Sequence, residues 1–149
     1  MKYHDLLNIR NIDLIGNTEP HVNSLRLFFE RRKVSVTSEI LELGDTSFEA
    51  KPLVTNNQLP IIQIDFEDYI SYSITNESFT TWKEYENFEG NAFRIYSNSH
   101  FLDYVKAHTF ASEDYPGPFK HFGMSCVDHV INVVSSSNPI ITEVKREQR

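Results

Sequence analysis

The chain has 149 residues, of which 40% are hydrophobic and 13% aromatic, and this composition excludes an intrinsically disordered protein. The net charge of −7 argues against a nucleic-acid partner, because binding to a phosphate backbone depends on Lys and Arg. One cysteine cannot form an intramolecular disulfide, and no apolar run has the length of a signal peptide or a membrane span. We therefore expect a cytoplasmic protein without membrane association, folded as a single globular domain over residues 1–149 with a frayed basic tail at 145–149.

The first predicted element is a helix over residues 18–33. Thr18 is a suitable N-cap, Pro20 is tolerated in the first turn, and four apolar side chains recur at helical spacing: Val22, Leu25, Phe28 and Phe29. A strand through residues 25–30, paired as a hairpin with the next segment, is the alternative. Residues 34–41 alternate apolar and polar side chains, which predicts a half-buried strand. The Gly-, Pro- and Asn-containing residues 44–60 then predict a connection.

The strongest pattern lies in residues 60–74, where apolar side chains occupy the even positions and polar side chains the odd ones. This alternation predicts a strand with one buried face and one face in solvent, as in an antiparallel sheet. Asp68 interrupts the apolar row. We therefore expect a bend, a bulge or a turn near Glu67 and Asp68, since one straight strand of this length would be unusual.

A second helix is predicted over residues 81–90. Thr81 and Glu84 have capping-box spacing, Gly90 suits a helix C-cap, and Trp82, Tyr85 and Phe88 would line one side. A strand at 92–96, a helix at 97–110 capped by Ser or Asn, a loop at 111–119 and strands at 120–134 and 140–144 complete the order. The expected fold class is α+β, with an antiparallel or mixed sheet of about five to six strands and two to three helices.

The most reactive-looking segment is residues 121–129, which contains two histidines and the only cysteine. If it is one extended strand, His121 and His129 lie about 26 Å apart, and Cys126 and His129 point to opposite faces. We therefore expect a strand buried on both faces, with no metal, no cofactor and no catalytic residue. A sharp bend beside Asp128 would bring His129 round towards Cys126 and Asp128.

The charge is concentrated between Glu39 and Glu89, where eleven acidic residues and two lysines give a net charge of −9. This acidic window predicts a non-catalytic binding protein, of the inhibitor or immunity type, for a basic partner protein. The predicted partner-binding residues are the acidic and aromatic side chains Asp65, Glu67, Tyr69, Glu77, Glu84 and Tyr85. The alternative is a small enzyme or ligand-binding protein that uses His121, Cys126 and His129 around a pocket closed by residues 111–119. A homodimer formed through an uncovered strand edge is a third hypothesis.

Overall fold

The structure is a computed structural model that describes residues 1–81 and 83–147. The chain is mostly β, with 51% of its residues in strands and 11% in helices. The described residues contain one α-helix, α1, at His100–His108, and two 3-10 turns at Tyr3–Leu6 and Glu77–Phe79. Their twelve strands are β1 Ile12–Thr18, β2 Leu25–Val34, β3 Glu39–Leu43, β4 Thr46–Ala50, β5 Leu53–Thr55, β6 Ile61–Phe66, β7 Tyr69–Asn76, β8 Asn87–Gly90, β9 Phe93–Asn98, β10 Lys120–Ser125, β11 His129–Ser135 and β12 Ile140–Val144.

The strands form three antiparallel sheets within the described residues. The first sheet has the order β1-β2-β6-β12, with β5 paired to the end of β2. The second sheet has the order β7-β11-β10-β9-β8. The third is the β3–β4 hairpin alone.

The predicted α+β class with two to three helices and five to six strands is therefore wrong. Residues 25–34 form β2 instead of a helix, and the alternating side chains Leu25, Leu27 and Phe29 are each at most 1% exposed. Val22, which the helical stripe would bury, is 90% exposed. Both periods fit this apolar segment, and pairing with β1 and β6 decides for the strand.

The second predicted helix, at 81–90, is also wrong. Its C-terminal half is strand β8, and Tyr85 and Phe88 are exposed where a helix would have buried them. Trp82, predicted on the same side, lies outside the described residues. Gly90 does have the positive φ expected of it, at +106°, but as the last residue of β8, directly before the turn into β9. The helix predicted at 97–110 is confirmed as α1, and the Ser99 side chain caps it by accepting a hydrogen bond from the Leu102 N–H.

The first and second sheets pack face to face as a sandwich. One apolar cluster contains inward side chains from both sheets, and Phe29 and Phe66 of the first contact Phe93 and Phe122 of the second at ring-centroid distances of 5.4 Å. Tyr3 joins this core and donates a hydrogen bond of 2.7 Å to the carbonyl of Gly123. Helix α1 packs on the outer face of the second sheet.

The break predicted at Glu67 and Asp68 is confirmed, and it is the point where the chain leaves one sheet for the other. Ile62, Ile64 and Phe66 of β6 are fully buried, as the alternation predicts. A straight strand through 120–134 is wrong, because residues 126–128 turn the chain and join β10 to β11 as a hairpin.

Residues 34–53 form a segment that we call the arm. It consists of the end of β2, the β3–β4 hairpin and the start of β5. Every residue of β3 and all of β4 except Ala50 are exposed, so neither face of the hairpin packs against the sandwich. Near the C-terminus, Arg146 of the predicted tail forms an ion pair with Glu30 of β2. Gln148 and Arg149 lie outside the described residues.

Candidate functional site

The six predicted partner-binding residues occupy two separate places. Asp65, Glu67 and Tyr69 lie before or at the start of β7, whereas Glu77, Glu84 and Tyr85 follow its end. The eight residues of β7 separate the two groups by about 26 Å at the usual rise of a strand. The acidic window is contiguous in sequence, but the fold distributes it.

The first group is largely engaged within the chain. The Asp65 carboxylate pairs with Arg26 at 2.7 Å and accepts a hydrogen bond from Gln63. The Tyr69 hydroxyl donates to Glu19, and this carboxylate raises the pKa of Tyr69 to about 12. Glu67 alone of the three is exposed.

The second group lies beside the outer face of the second sheet. The Tyr85 hydroxyl donates to Asp103 of α1 at 2.7 Å, which raises the pKa of Tyr85, and its ring lies 4.9 Å from that of His100. Glu77 begins the second 3-10 turn, and Glu84 is exposed.

His121 lies on the outer face of β10 with 1% of its surface exposed. Its Nδ1 is 2.6 Å from Ser99 Oγ, and its Nε2 is 2.8 Å from Asn132 Oδ1. Because the Asn132 amide oxygen can only accept, His121 Nε2 carries the proton and donates to it. The unprotonated Nδ1 then accepts the Ser99 hydroxyl, whose oxygen also accepts the N–H of Leu102. Burial lowers the pKa of His121 to about 4, so the ring is neutral at neutral pH.

Ser99, His121 and Asn132 are thus joined by two hydrogen bonds, from a hydroxyl through an imidazole to an amide. The order is that of a catalytic triad, in which an imidazole activates a serine nucleophile. Ser99, however, has no exposed surface and serves as the N-cap of α1. No substrate carbonyl reaches its Oγ. These hydrogen bonds therefore hold the start of α1 against the sheet. The Tyr96 ring stacks on His121 at a centroid distance of 4.2 Å and covers it.

The other two residues of the alternative site do not join His121. Cys126 points into the apolar core, is 6% exposed, and burial raises its pKa to about 12, which removes the thiolate needed for nucleophilic or metal chemistry. The Cys126 N–H donates to the His129 carbonyl, so His129 lies level with Cys126, five strand residues or roughly 16 Å along the sheet from His121. Within the described residues, no group of three or more His, Cys, Asp or Glu side chains has the arrangement of a metal site.

A pocket of about 650 Å³ does open on the outer face of the second sheet. Its walls include residues from 77–81 and 83–88 and the first residues of α1, and its floor includes Arg94, Tyr96 and Asn132. Among the described residues, none of His121, Cys126 and His129 lines it, and neither does the loop at 111–119. The pocket is a feature that reasoning from the sequence missed.

The arm is the second feature that was missed. It contains seven of the eighteen large hydrophobic side chains that are exposed in the described residues, although it has only 20 residues: Val34, Val36, Ile40, Leu41, Leu43, Phe48 and Leu53. Exposed apolar side chains concentrated in this way mark interaction surfaces. The sequence did contain a signal, because Gly44 and Asp45 form a two-residue hairpin turn between alternating segments.

The register of the β3–β4 hairpin gives its two faces different chemistry. One face combines the cross-strand pairs Leu41–Phe48 and Leu43–Thr46, so that three large apolar side chains lie together in solvent. The opposite face carries Glu42 and Glu49 beside Ile40. Between residues 39 and 50 there are four carboxylates and no Lys or Arg.

No protein-family model, no curated protein and no solved structure matches this chain. None of the helices in the described part of the chain has the length and apolar character needed to cross a membrane.

Proposed function

We propose that this protein is a non-catalytic binding protein that docks onto a basic partner protein through the arm. The observation that carries the proposal is the β3–β4 hairpin, which exposes Leu41, Leu43 and Phe48 together with four carboxylates and does not pack against the described part of the sandwich. Apolar area supplies affinity when it is buried, and charge complementarity supplies selectivity and fast association.

Within the described residues β3 and β4 pair only with each other, so the hairpin also has two free strand edges there. An isolated two-stranded hairpin is marginally stable in water, so the arm gains stability when a third strand adds to it. Strand addition satisfies the backbone groups of the edge, while alternate side chains set the specificity. The partner segment that fits is an extended one in which Lys or Arg alternates with apolar residues.

A second copy of this chain is a poor occupant of the same edge. Two arms would bring four carboxylates against four, and like charges on facing strands are destabilising. Acidic edge residues are one of the devices that keep strands from pairing with their own copies. Docking onto a basic target protein in this way is how an inhibitor or immunity protein acts, and this is the role that we propose.

The test is a calorimetric titration of the protein with a short peptide that alternates lysine with valine, beside a matched peptide with glutamate in place of lysine. We expect the lysine peptide alone to bind. Glu42→Lys/Glu49→Lys is expected to weaken it at least about tenfold, or about 1.4 kcal/mol. Raising the salt from about 0.1 M to about 1 M shortens the screening length from about 10 Å to about 3 Å and should weaken binding further.

The matched control is Glu67→Lys/Glu84→Lys, which makes the same charge change at two of the residues predicted from the sequence. These side chains are exposed and lie outside the arm, so we expect affinity within about twofold of the original. Equal binding of both peptides would overturn the proposal. So would a loss of affinity in the control variant alone, and light scattering that shows an arm-dependent homodimer would replace it with self-association.

A further inference from the structure

The pocket on the outer face of the second sheet has a chemistry different from that of the arm. It contains two cations, Arg94 and Lys83, and two carboxylates, Glu77 and Glu86. The four ion pairs found in the described residues all involve the first sheet or its edges: Arg26–Asp65, Arg31–Glu143, Arg32–Asp13 and Arg146–Glu30. Among the described residues, the pocket's opposite charges are not paired with each other.

Other contacts hold Arg94 and Glu86 in place. The Arg94 Nε donates to the carbonyl of Asn91 at 2.6 Å, its Nη1 donates to the Tyr96 hydroxyl at 3.4 Å, and its guanidinium lies over the Phe88 ring at 4.0 Å. Glu86 Oε2 accepts the backbone N–H of His100 at 3.1 Å, at the start of α1. These contacts leave Arg94 Nη2 and Glu86 Oε1 without a hydrogen-bond partner in the described part of the chain. Each half-buried charge is positioned but not neutralised.

The pocket floor is rigid. Tyr96 stacks on the buried His121, and Asn132 is fixed between His121 and Ser73. A Cβ at Gly123 would lie 2.5 Å from the Tyr96 ring, so glycine is what lets this ring lie flat on β10. A preorganised floor lowers the entropy lost when a ligand binds.

We propose that this pocket binds a zwitterionic ligand of the amino-acid or short-peptide class. The ligand carboxylate binds the Arg94 guanidinium, which matches its planar geometry, and the ligand ammonium binds Glu86. The aromatic rings of Phe88, Tyr96 and Phe101 flank the apolar side chain. A phosphate or another ligand with negative charge only is repelled by the carboxylates of Glu77 and Glu86. A ligand with positive charge only is repelled by Arg94 and Lys83. A volume of about 650 Å³ lies within the range of small-molecule sites.

The test is a calorimetric titration with leucyl-leucine, its N-acetyl derivative and its C-terminal amide, with leucine as a fourth ligand. The derivatives each remove one charge and keep the apolar side chains. We expect saturable one-to-one binding of the dipeptide and at least a tenfold weaker affinity for both derivatives. Leucine distinguishes the sources of the zwitterion, because tighter binding of leucine than of the dipeptide would assign the site to free amino acids.

The protein side of the test uses Arg94→Gln and Glu86→Gln, each expected to weaken the dipeptide at least tenfold. Glu86→Gln keeps an oxygen for the His100 N–H. Glu84→Gln is the control, since Glu84 is exposed on the same segment but does not line the pocket, and its affinity should be unchanged. Equal binding of the blocked and unblocked dipeptides, or no binding at millimolar concentration, would overturn the inference even if both variants failed to fold. The arm does not line this pocket, so the outcome is independent of the proposed docking function.

Discussion

The sandwich buries its large apolar side chains, whereas the arm exposes them to solvent. In the sandwich, Phe29, Phe66 and Phe93 are fully buried and contact one another or their neighbours across the two sheets. In the arm, Leu43 is 67% exposed and Phe48 is 43% exposed. Burial in the sandwich stabilises the fold, whereas the arm has apolar surface that folding of this chain alone does not use. This difference is the basis of our proposal that the arm serves association.

The largest expected effect contrasts two phenylalanines. Phe93→Ala removes a fully buried ring and should lower the free energy of unfolding by about 3–5 kcal/mol. Phe48→Ala removes a half-exposed ring that faces Leu41 in the hairpin, and should cost less than about 1 kcal/mol. Urea unfolding followed by circular dichroism measures both. Comparable losses for the two variants would mean that the arm contributes to the core and is not a separate surface.

The next effect is a pH dependence within the sandwich. Burial lowers the pKa of His121 from 6.5 to about 4, so the unfolded chain takes up a proton between these pH values that the folded chain does not. Stability is therefore full above pH 6.5 and falls as the pH drops towards 4, by about 3 kcal/mol from this residue.

The measurement is the difference in unfolding free energy between the original protein and His121→Gln at about pH 7 and about pH 4. Glutamine does not titrate, so the advantage of the original protein should shrink on acidification. An arm variant such as Phe48→Ala should show the same difference at both pH values. A His121→Gln difference that is independent of pH would show that the ring is not held neutral.

The smallest effect belongs to the outer face of the first sheet. Asp65→Asn removes one partner of the Arg26 ion pair, in which the two side chains are 36% and 17% exposed. Partial exposure screens the pair, and the expected loss of stability is about 0.5–1 kcal/mol, with no change in binding of the lysine–valine peptide. A large loss of peptide affinity in this variant, with the fold intact by circular dichroism, would move the docking face from the arm to the residues predicted from the sequence.

Sequence periodicity predicted those elements whose pattern fits one period only. The alternation at 60–74 and the interruption at Asp68 gave β6, β7 and the break between them, and Ser99 before α1 gave the helix. The pattern at 18–33 failed because Leu25, Phe28 and Phe29 suit a helix as well as a strand. Only pairing with β1 and β6 decides between them, and pairing cannot be read from local spacing.

The acidic window predicts a basic partner, but the surface that we propose for docking is the arm and not the six residues named from the sequence. Asp65 is neutralised by Arg26, 39 residues earlier in the chain, and this contact arises from the register of β2 with β6. The carboxylates of the arm belong to the same window, and they differ from the others in sharing a hairpin with the exposed Leu41, Leu43 and Phe48. His121 likewise looked like a reactive group, whereas the fold buries it between Ser99 and Asn132.

The most direct test of the arm is hydrogen exchange of the backbone amides, measured residue by residue by NMR with and without the lysine–valine peptide. Strand addition predicts new protection at the edge amides of β3 or β4, while amides of the sandwich stay unchanged. Substitution of Glu42 and Glu49 by lysine should abolish that protection. Protection confined to residues 65–85, with the arm exchanging as fast as before, would contradict the account.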